Sequence, residues 1–376
     1  MRFILAVLTL IACCHRPLDV YGQSAEPTRA DSLRGAAAGR FEIGVGINDR
    51  IPEQKENWPL LKQQFSIITP ENCMKPQSIQ RTLGAFDFQV PDRFVEFAVT
   101  HDLRIVGHCL VWAKDDRTYD WYYKEGDRAL NGQELNARMR SDIHKLVSRY
   151  RGKIAMWDVV NEALDDGEEY LRPSGWVSAC GETFIAEAFR AAHEADPEAL
   201  LIYNDYNNEL PKKREKMLRL IRSLQEQNVP LHAIGLQGHY EIDRIPFDEI
   251  EQTIVDVRKL GLKVVVSELD IDVIPRGRWW AENGKYREEL ATLDPYPNGL
   301  PDDLQQRLAE QYAKLFSIFA KHSDAILRVS FWNLHDGESW LNYFPWKRVN
   351  HPLLFDRDRL PKPAYDAVLK ALATRS

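Results

Sequence analysis

Short apolar segments alternate along the chain with longer segments in which polar and apolar positions follow a helical period. The short segments are apolar nearly throughout, as the strands of a parallel sheet covered on both faces require. They span 41–48, 65–69, 103–112, 154–162, 199–205, 233–240, 263–271 and 327–333. The longer segments repeat apolar residues at i, i+3, i+4 and i+7, which predicts helices with one buried face. Examples are 135–150, 183–195, 212–227, 247–260 and 303–322.

Eight predicted strands that alternate with helices indicate the α/β class and a single (β/α)8 TIM barrel. The alternative is an open doubly wound sheet, which usually has fewer strands and often a glycine-rich phosphate turn. Neither GxGxxG nor GxxxxGK[ST] occurs in the sequence. No low-complexity or Pro/Ser-rich linker interrupts the chain after residue 40, so we expect one catalytic domain over 41–376.

The N-terminal segment 1–22 predicts a signal peptide, because Met-Arg is followed by an apolar run that is too short to span a bilayer. Cleavage is expected after Gly22. The alternative is a lipoprotein signal, since the residues up to Cys13 resemble a lipobox. Both predict export, either as a secreted extracellular or periplasmic protein or as a lipid-anchored form at the cell surface. The polar segment 23–40 is expected to be a linker or a short leading helix.

Charge and cysteine content exclude some classes of function. The formal net charge is −7, which weighs against nucleic acid as a partner. Three cysteines follow the leader, Cys73, Cys109 and Cys180, and an odd number without a CxxC pair argues against a disulfide framework or a zinc site. One disulfide between Cys73 and Cys109 and free buried thiols are the two alternatives, and we favour the free thiols.

Polar, acidic and aromatic residues cluster where the predicted strands end, which in a barrel is one rim. Burying so many polar groups there would cost several kcal/mol if nothing used them. The residues at these ends are Glu71, Asn72, Lys75, His108, Trp112, Asp158, Asn161, Glu162, Asn204, Asp205, Tyr206, Asn207, Gln237, His239, Glu268, Asp270 and Trp332.

Two carboxylates stand out, because Glu162 and Glu268 directly follow the fourth and seventh strands and would face each other across the mouth of the barrel. Paired carboxylates across a cleft suit the cleavage of a glycosidic bond, and nearby tryptophans would offer flat surfaces to sugar rings. His108 and His239 have no HxH or HExxH partner, so no metal and no other cofactor is expected.

The sequence resembles glycoside hydrolase family 10, the β-1,4-xylanases, in motifs that follow the family's order from about residue 41 to 370. The motifs are TPENCMK (69–75), GHCLVW (107–112), WDVVNEAL (157–164), NDYNNE (204–209), GLQGHY (235–240), SELDI (267–271), FWNLHDGESW (331–340) and PLLFDRDRLPKPAY (352–365).

The resemblance implies a role for each residue of the catalytic set. Glu162 would be the acid/base and Glu268 the nucleophile, with Asn161 holding the 2-hydroxyl of the attacked sugar. His239 would hydrogen-bond Glu268 and Asp270 would fix His239, so that Glu268 stays ionised while Glu162 is held protonated. The implied mechanism is double displacement with retention of the anomeric configuration, and it predicts carboxyl groups about 5–5.5 Å apart.

The resemblance also implies a substrate-binding set. Glu71, Asn72, Lys75, His108 and Trp112 would bind the glycone, Gln237 would line the reacting site, Trp332 and Trp340 would stack on sugars, and Tyr206 and Asn207 would face the leaving group.

Three segments depart from the family pattern or extend it. Ala113-Lys114-Asp115 stands where many members have a His and, two residues on, a Gln. Lys114 and Asp115 could contact a decorated or acidic sugar, or form a solvated ion pair, and we expect the ion pair. Cys73 and Cys109 replace the more usual acidic residue and Thr. The long segment 272–301, with Trp279, Trp280 and Tyr296, is expected to wall the leaving-group side.

The resemblance therefore implies a monomeric endo-1,4-β-xylanase that acts on xylan or xylo-oligosaccharides. One alternative is another retaining barrel enzyme, a β-glucanase or cellulase, since paired glutamates on these strands occur in more than one family. The other is a non-catalytic carbohydrate-binding barrel, which the intact carboxylates and their supporting residues disfavour.

Overall fold

Eight parallel strands form the centre of the protein in the computed structural model, which describes residues 32–274 and 293–374. Each strand lies within or overlaps one of the predicted apolar segments. In chain order they are β1 (Glu42–Ile47), β2 (Ile67–Pro70), β3 (Arg104–Trp112), β6 (Met156–Asn161), β7 (Leu200–Asp205), β8 (Ala233–Leu236), β10 (Lys263–Asp272) and β11 (Ile326–Trp332).

The sheet closes on itself. Each strand is hydrogen-bonded in parallel to the next in the order just given, and β11 pairs with both β10 and β1. In the closing pair, Gly44 lies opposite Ser330 and Gly46 opposite Trp332. A side chain at Gly46 would collide with the Trp332 ring, because a Cβ atom placed there would lie 2.5 Å from the nearest ring atom. The predicted single (β/α)8 barrel is confirmed, and the open sheet is excluded.

The sixth predicted segment, 233–240, is not one continuous strand. β8 pairs with β7 and β10 and ends at Leu236, and a short strand, β9 (His239–Glu241), then pairs with the last residues of β10. Gly238 has φ of +81°, a left-handed conformation that costs glycine little and that interrupts the pleat. The break turns Gln237 and His239 toward the barrel mouth, where both line a cleft.

Helices surround the barrel and bury one face each, as their periodicity predicts. α7, for example, buries Phe184, Ala188 and Phe189. The two-residue strands β4 (Lys124–Glu125) and β5 (Arg128–Ala129) form a small hairpin outside the barrel. The helices are α1 (Leu33–Ala36), α2 (Trp58–Gln64), α3 (Pro76–Ile79), α4 (Gln89–Thr100), α5 (Gly132–Arg149), α6 (Gly175–Cys180), α7 (Thr183–Ala195), α8 (Pro211–Glu226), α9 (Phe247–Lys259), α10 (Asp302–Lys321) and α11 (Pro363–Ala373).

The end of the predicted leading segment packs against the barrel as the short helix α1. The Ser32 side chain caps this helix by accepting a hydrogen bond from the Gly35 N–H. Leu33 is fully buried, and Arg40 donates to the Leu372 carbonyl in α11 at 2.7 Å. The predicted signal peptide lies outside the described residues. No helix among the described residues is long and apolar enough to cross a membrane.

Cys73, Cys109 and Cys180 are free thiols. Burial raises the pKa of the Cys180 thiol to about 11, and it raises the pKa of Cys109 well above the ordinary range. The predicted alternative of a disulfide between Cys73 and Cys109 is therefore wrong, and the favoured alternative of free thiols is confirmed.

Candidate active site

A cleft of about 680 Å³ opens at the carboxyl ends of the barrel strands. Most of the predicted site residues share it. Those that line it are Glu71, Asn72, Lys75, His108, Trp112, Asn161, Glu162, Gln237, His239, Glu268, Trp332 and Trp340. The lining residues not in the predicted set are Gln77, Ser78, Lys114, Asp116, Arg117 and Phe344.

Glu268, near the end of β10, is buried and hydrogen-bonded on both oxygens. Its Oε1 accepts from Asn204 Nδ2 at 2.8 Å, and its Oε2 lies 3.2 Å from His239 Nε2. Asn204 Nδ2 also donates to Asn161 Oδ1 at 2.9 Å, so the strand β7 links both sides of the cleft. The Ser267 hydroxyl fixes this amide by donating to Asn204 Oδ1 at 2.6 Å.

A histidine and a second carboxylate support Glu268 from behind. His239 Nδ1 lies 3.0 Å from Asp270 Oδ1, while Asp270 Oδ2 accepts from Trp340 Nε1 at 2.6 Å. Burial lowers the pKa of His239, but the charges and hydrogen bonds of Asp270 and Glu268 outweigh it and raise the pKa to about 9. The distances agree with the predicted chain from Glu268 through His239 to Asp270, which itself lies behind the cleft wall.

The charged state of Glu268 follows from these neighbours. Burial by itself would raise the pKa of Glu268, because a dry site penalises the charged carboxylate. The hydrogen bond from His239 and the electrostatic interactions with His108 and His239 outweigh burial, so the pKa of Glu268 lies below its usual range. Glu268 is thus an ionised carboxylate, as a nucleophile must be.

Glu162 lies directly after β6, across the cleft, in a left-handed backbone conformation with φ of +59°. Such a conformation costs a non-glycine residue on the order of 1 kcal/mol or more, and it is found preferentially at functional sites. Its backbone is tied by the Glu162 N–H donating to the Asn204 carbonyl at 2.9 Å and by Arg172 Nε donating to the Glu162 carbonyl at 3.2 Å. Glu162 Oε1 accepts from Gln237 Nε2 at 3.0 Å.

The other oxygen of Glu162 forms an ion pair with Lys114, whose Nζ lies 2.5 Å from Oε2. Burial raises the pKa of Glu162, but the Lys114 charge and the hydrogen bonds from Gln237, Lys114 and Trp112 together hold it well below the usual range. The expectation that Glu162 is held protonated is therefore wrong for this structure, because the sequence did not show that a lysine reaches the carboxylate.

Lys114 and Asp115 do not form the expected solvated ion pair. Asp115 Oδ1 accepts from the Gly175 N–H at 2.8 Å and from the Tyr123 hydroxyl at 3.0 Å, on the outer side of the loop. Lys114 extends the opposite way, into the cleft. Successive residues of an extended segment point to opposite sides, and the backbone at Lys114 is extended.

Aromatic side chains form the walls of the cleft. Trp332 lies beneath it, nearly fully buried, with its ring 5.6 Å from the His108 ring. Trp340 stacks on Phe344 with ring centroids 5.0 Å apart, and His239 lies 5.0 Å from Trp340 on the other side. Flat apolar surfaces of this kind suit the faces of sugar rings.

The predicted glycone-binding residues lie together on the β2–β3 side of the cleft. Lys75 Nζ lies 4.9 Å above the Trp112 ring and donates to Asn72 Oδ1 at 3.1 Å. Glu71 Oε2 accepts from Asn333 Nδ2 at 3.3 Å. His108 Nδ1 lies 2.8 Å from Asp158 Oδ2, which fixes the ring from inside the barrel.

Two of the predicted binding residues, Tyr206 and Asn207, do not line the cleft. The Tyr206 hydroxyl donates to Asp166 Oδ2 at 2.6 Å, and Arg172 Nη2 donates to the same hydroxyl at 2.7 Å. Asn207 Nδ2 lies 3.4 Å from Asp166 Oδ1. Tyr206 is buried within this polar network behind Lys114, whose Nζ lies 5.1 Å from the Tyr206 ring.

The predicted wall from the 272–301 segment falls mostly outside the described residues, including Trp279 and Trp280. Of the described part, the Tyr296 carbonyl lies 2.9 Å from His351 Nε2. Trp346 Nε1 donates to the Leu293 carbonyl at 3.4 Å. That the 272–301 segment walls the leaving-group side of the cleft stays a prediction.

Two functional residues were missing from the predicted set. Asn204 contacts Glu268 directly, and its place at the end of an apolar strand, in the NDYNNE motif, was a usable signal. Lys114 contacts Glu162, but no local pattern announces this, because a lysine in a loop is ordinarily a solvated side chain.

The arrangement offers two buried carboxylates on opposite sides of one cleft, each with its own donors. Such a pair can protonate a leaving oxygen and attack the carbon that carries it. Within the two described ranges, no group of three or more His, Cys, Asp and Glu side chains has the arrangement of a metal site.

Comparison with known proteins places these residues in a family. The profile of Glycosyl hydrolase family 10 matches residues 32–371. The chain is 39% identical to an endo-1,4-beta-xylanase of Geobacillus stearothermophilus, over 89% of this chain and 96% of the relative. It is 36% identical to a beta-1,4-xylanase of Dictyoglomus thermophilum, over 98% and 99%. The structure of an endoxylanase from a sugarcane soil metagenome superimposes with a TM-score of 0.84 at 40% identity, covering 91% and 99% of the two chains.

Proposed function

Because the chain belongs to glycosyl hydrolase family 10 and is a glycoside hydrolase, we propose that it is an endo-1,4-β-xylanase that retains the anomeric configuration. The observation that carries the proposal is the pair of buried glutamates, Glu162 and Glu268, held on opposite sides of one aromatic-walled cleft. The names of the two xylanase relatives, matched over 96% and 99% of their length, support xylan as the substrate.

In the first step, a Glu268 oxygen attacks the anomeric carbon and forms an ester bond to it. The bond between that carbon and the glycosidic oxygen breaks, its electron pair goes to the oxygen, and the oxygen takes a proton from Glu162. Asn204 and His239 support Glu268 for this task, since their hydrogen bonds favour the carboxylate. Asn161, at the end of β6, would hold the 2-hydroxyl of the attacked sugar.

In the second step, water replaces the sugar–enzyme bond. Glu162, now a carboxylate, takes a proton from water while the water oxygen bonds to the anomeric carbon, and the ester to Glu268 breaks. Two inversions at one carbon give overall retention. Lys75, His108 and Trp112 would bind the glycone, while Trp332 and Trp340 would pack against sugar faces.

The test is to follow the anomeric protons by NMR while the enzyme hydrolyses a linear β-1,4-xylo-oligosaccharide. We expect the new reducing ends to appear first as the β-anomer and to mutarotate later. If the α-anomer appears first, the double displacement and the role of Glu268 as nucleophile are wrong.

Xylan and carboxymethylcellulose, compared at equal concentration, separate the proposed activity from that of a β-glucanase. We expect hydrolysis of xylan with little hydrolysis of the glucan, because a glycone pocket fitted to a pentose rejects the extra hydroxymethyl group. Faster hydrolysis of carboxymethylcellulose would replace the substrate but keep the mechanism. Binding of oligosaccharide without hydrolysis would support the carbohydrate-binding alternative.

We also infer that the enzyme is exported and acts as a monomer. The apolar N-terminal run of the sequence supports export. The mass of the mature protein tests the route: a chain that begins at Gln23 indicates an ordinary signal peptide, and a lipid-modified Cys13 indicates a lipoprotein. Light scattering of the mature protein tests the oligomeric state.

A further inference from the structure

Lys114 is a cation in contact with the proposed acid/base, and the double displacement assigns it no role. Its Nζ lies 2.5 Å from Glu162 Oε2, and its side chain is about one-fifth exposed. The loop that carries it is anchored on both sides of Lys114. The Ala113 N–H donates to the Asn161 carbonyl at 2.9 Å, and Asp115 accepts from the Gly175 N–H. The ammonium group is thus held at the carboxylate by a fixed backbone.

The two oxygens of Glu162 are not equivalent. Oε1 faces the amide donor of Gln237 at 3.0 Å, so a proton placed on Oε1 would point at another hydrogen. Oε2 is buried and forms the ion pair with Lys114. Oε2 is therefore the oxygen on which Glu162 can carry a transferable proton, and it is the oxygen that Lys114 contacts.

We propose that Lys114 is a positioning residue of this reaction, whose ammonium group competes with the catalytic proton for Oε2 of Glu162. This inference rests on the proposed function, in which Glu162 is the acid in the first step and the base in the second. Lys114 favours the ionised form of Glu162, which acts as the base in the second step. It disfavours the protonated form, which acts as the acid in the first step. It sets the pH above which the first step loses its proton donor.

Other charged groups near Glu162 do not explain this effect. Arg172 contributes positive charge from the loop after β6, but its guanidinium is engaged by Asp166 and Tyr206. Asp205, on β7, repels a second negative charge nearby and so opposes ionisation of Glu162, whereas the Tyr206 hydroxyl is neutral, because burial raises its pKa. Cys109 of β3 is a neutral thiol, because burial raises its pKa. Glu268 lies opposite on β10, where His239 balances its charge.

The test compares the pH dependence of kcat/KM on a linear xylo-oligosaccharide for the wild type and Lys114→Met. Without the lysine, burial dominates at Glu162 and raises its pKa, so the carboxyl stays protonated to higher pH. We expect the basic limb of the profile to move up by roughly one to three pH units. Each unit is about tenfold in kcat/KM on the basic limb. The acidic limb, which reports Glu268, should stay in place.

Two matched variants show whether the effect belongs to this contact. Lys114→Arg keeps the charge, and its basic limb should stay near that of the wild type. Arg117→Met removes another cation from the same cleft, one that pairs with Asp116 rather than with Glu162. Its basic limb should also stay in place, whatever its effect on KM. An equal shift in Arg117→Met would mean that general cleft charge, not the Lys114 contact, is responsible.

A substrate that needs no acid separates proton donation from folding effects. With a dinitrophenyl leaving group, the first step proceeds without a proton, so Lys114→Met and the wild type should have the same basic limb. A shift that persists on this substrate, or no shift on the xylo-oligosaccharide, overturns the proposal.

Direct titration keeps the test independent of the substrate. In protein labelled with ¹³C at the Glu carboxyl carbons, NMR follows the Glu162 carboxyl, assigned by its loss in Glu162→Gln. We expect the Glu162 signal to titrate at higher pH in Lys114→Met than in the wild type, and equal titration in both overturns the proposal. If xylan proves not to be the substrate, this measurement still tests Lys114. If Lys114→Met fails to fold, Lys114→Gln replaces it.

Discussion

The two sides of the cleft hold their carboxylates in different ways. Glu162 and Glu268 are each only 6% exposed, so burial acts on both alike. Glu268 is held by an amide and by a histidine that is itself braced by Asp270, within elements of regular strand structure. Glu162 instead receives its charge partner from Lys114, on the loop that follows β3.

Both carboxylates need partners that stabilise their charge in a buried site, and the two sides of the cleft supply different kinds of partner. A histidine between two carboxylates favours the ionised form of Glu268, both before it attacks the sugar and when it is released as the ester breaks. The acid/base has to change charge twice in each cycle, and a flexible lysine side chain is a partner that can withdraw. The nucleophile side therefore uses a histidine that a second carboxylate holds in place, and the acid/base side uses a lysine whose side chain can move.

The largest expected effect is the loss of the nucleophile. Glu268→Gln keeps the shape and the hydrogen-bonding capacity of the side chain but cannot form the ester. We expect kcat on xylo-oligosaccharides to fall by at least about 10⁴-fold, since nucleophile and support act as one unit. Steady-state kinetics measures this, with thermal unfolding as the control for folding. Activity within tenfold of the wild type would remove Glu268 from its role.

Removal of the acid/base should depend on the leaving group. In Glu162→Gln, kcat/KM on a xylo-oligosaccharide should fall by about 10²–10⁴-fold, because the leaving oxygen no longer receives a proton. A dinitrophenyl substrate should still react in the first step, and azide should speed its second step by replacing the activated water. Equal losses on both substrates would contradict the assignment of Glu162 as the acid.

The histidine brace should affect the acidic limb of the pH profile. Asp270→Asn removes the charge that, with Glu268, raises the pKa of His239 to about 9. With less positive charge on His239, the pKa of Glu268 should rise, and the acidic limb of kcat/KM should move to higher pH. Lys114→Met should move only the basic limb. If both variants move the same limb, the division between the two sides is wrong.

The same histidine predicts a change in stability with pH. Its folded-state pKa of about 9 exceeds the ordinary value of 6.5. Protonated His239 therefore adds stability that is complete below pH 6.5 and is lost as the pH rises through about 9. Urea unfolding from pH 6 to 9.5 should show this decline in the wild type and a smaller one in His239→Gln. Parallel curves would contradict it.

The last expected effect concerns Glu209, a buried carboxyl that interacts with the charges of Lys213, Asp205 and His239. Burial raises its pKa to about 7, against the opposing charges of Lys213 and His239. An acid that binds its proton more tightly when folded lowers stability as the pH rises from about 4.5 through about 7. Glu209→Gln should remove a decline of up to about 3 kcal/mol in the free energy of unfolding. Glu215→Gln, exposed on α8, is the matched control and should leave the decline intact.

Much of the fold could be predicted because its signals are local. The five longest predicted helical segments agree with α5, α7, α8, α9 and α10 to within a few residues. Periodicity reports which face is buried, and eight alternations leave few topologies that satisfy right-handed connections. The break between β8 and β9 escaped prediction, because Gly238 in an apolar run does not reveal that the chain stops pairing with β7 while it still pairs with β10.

The site also has a part that the sequence predicts and a part that it does not. Motifs at strand ends located Glu162, Glu268, His239 and Asp270, because parallel strands bring their carboxyl ends to one rim whatever the details of packing. The resemblance implies that Tyr206 and Asn207 face the leaving group, which stays a prediction, and in the structure their side chains contact Asp166. Which neighbour a polar side chain chooses depends on distances that sequence position does not contain.

The sequence by itself determined the barrel, the rim and the pair of carboxylates, since these follow from periodicity and from chain direction. Only the tertiary structure decided the charge on Glu162. Lys114 and Glu162 are far apart along the chain, and the contact between them depends on how the loop after β3 is anchored. Coulombic energy depends on separation and burial, and both are properties of the folded chain.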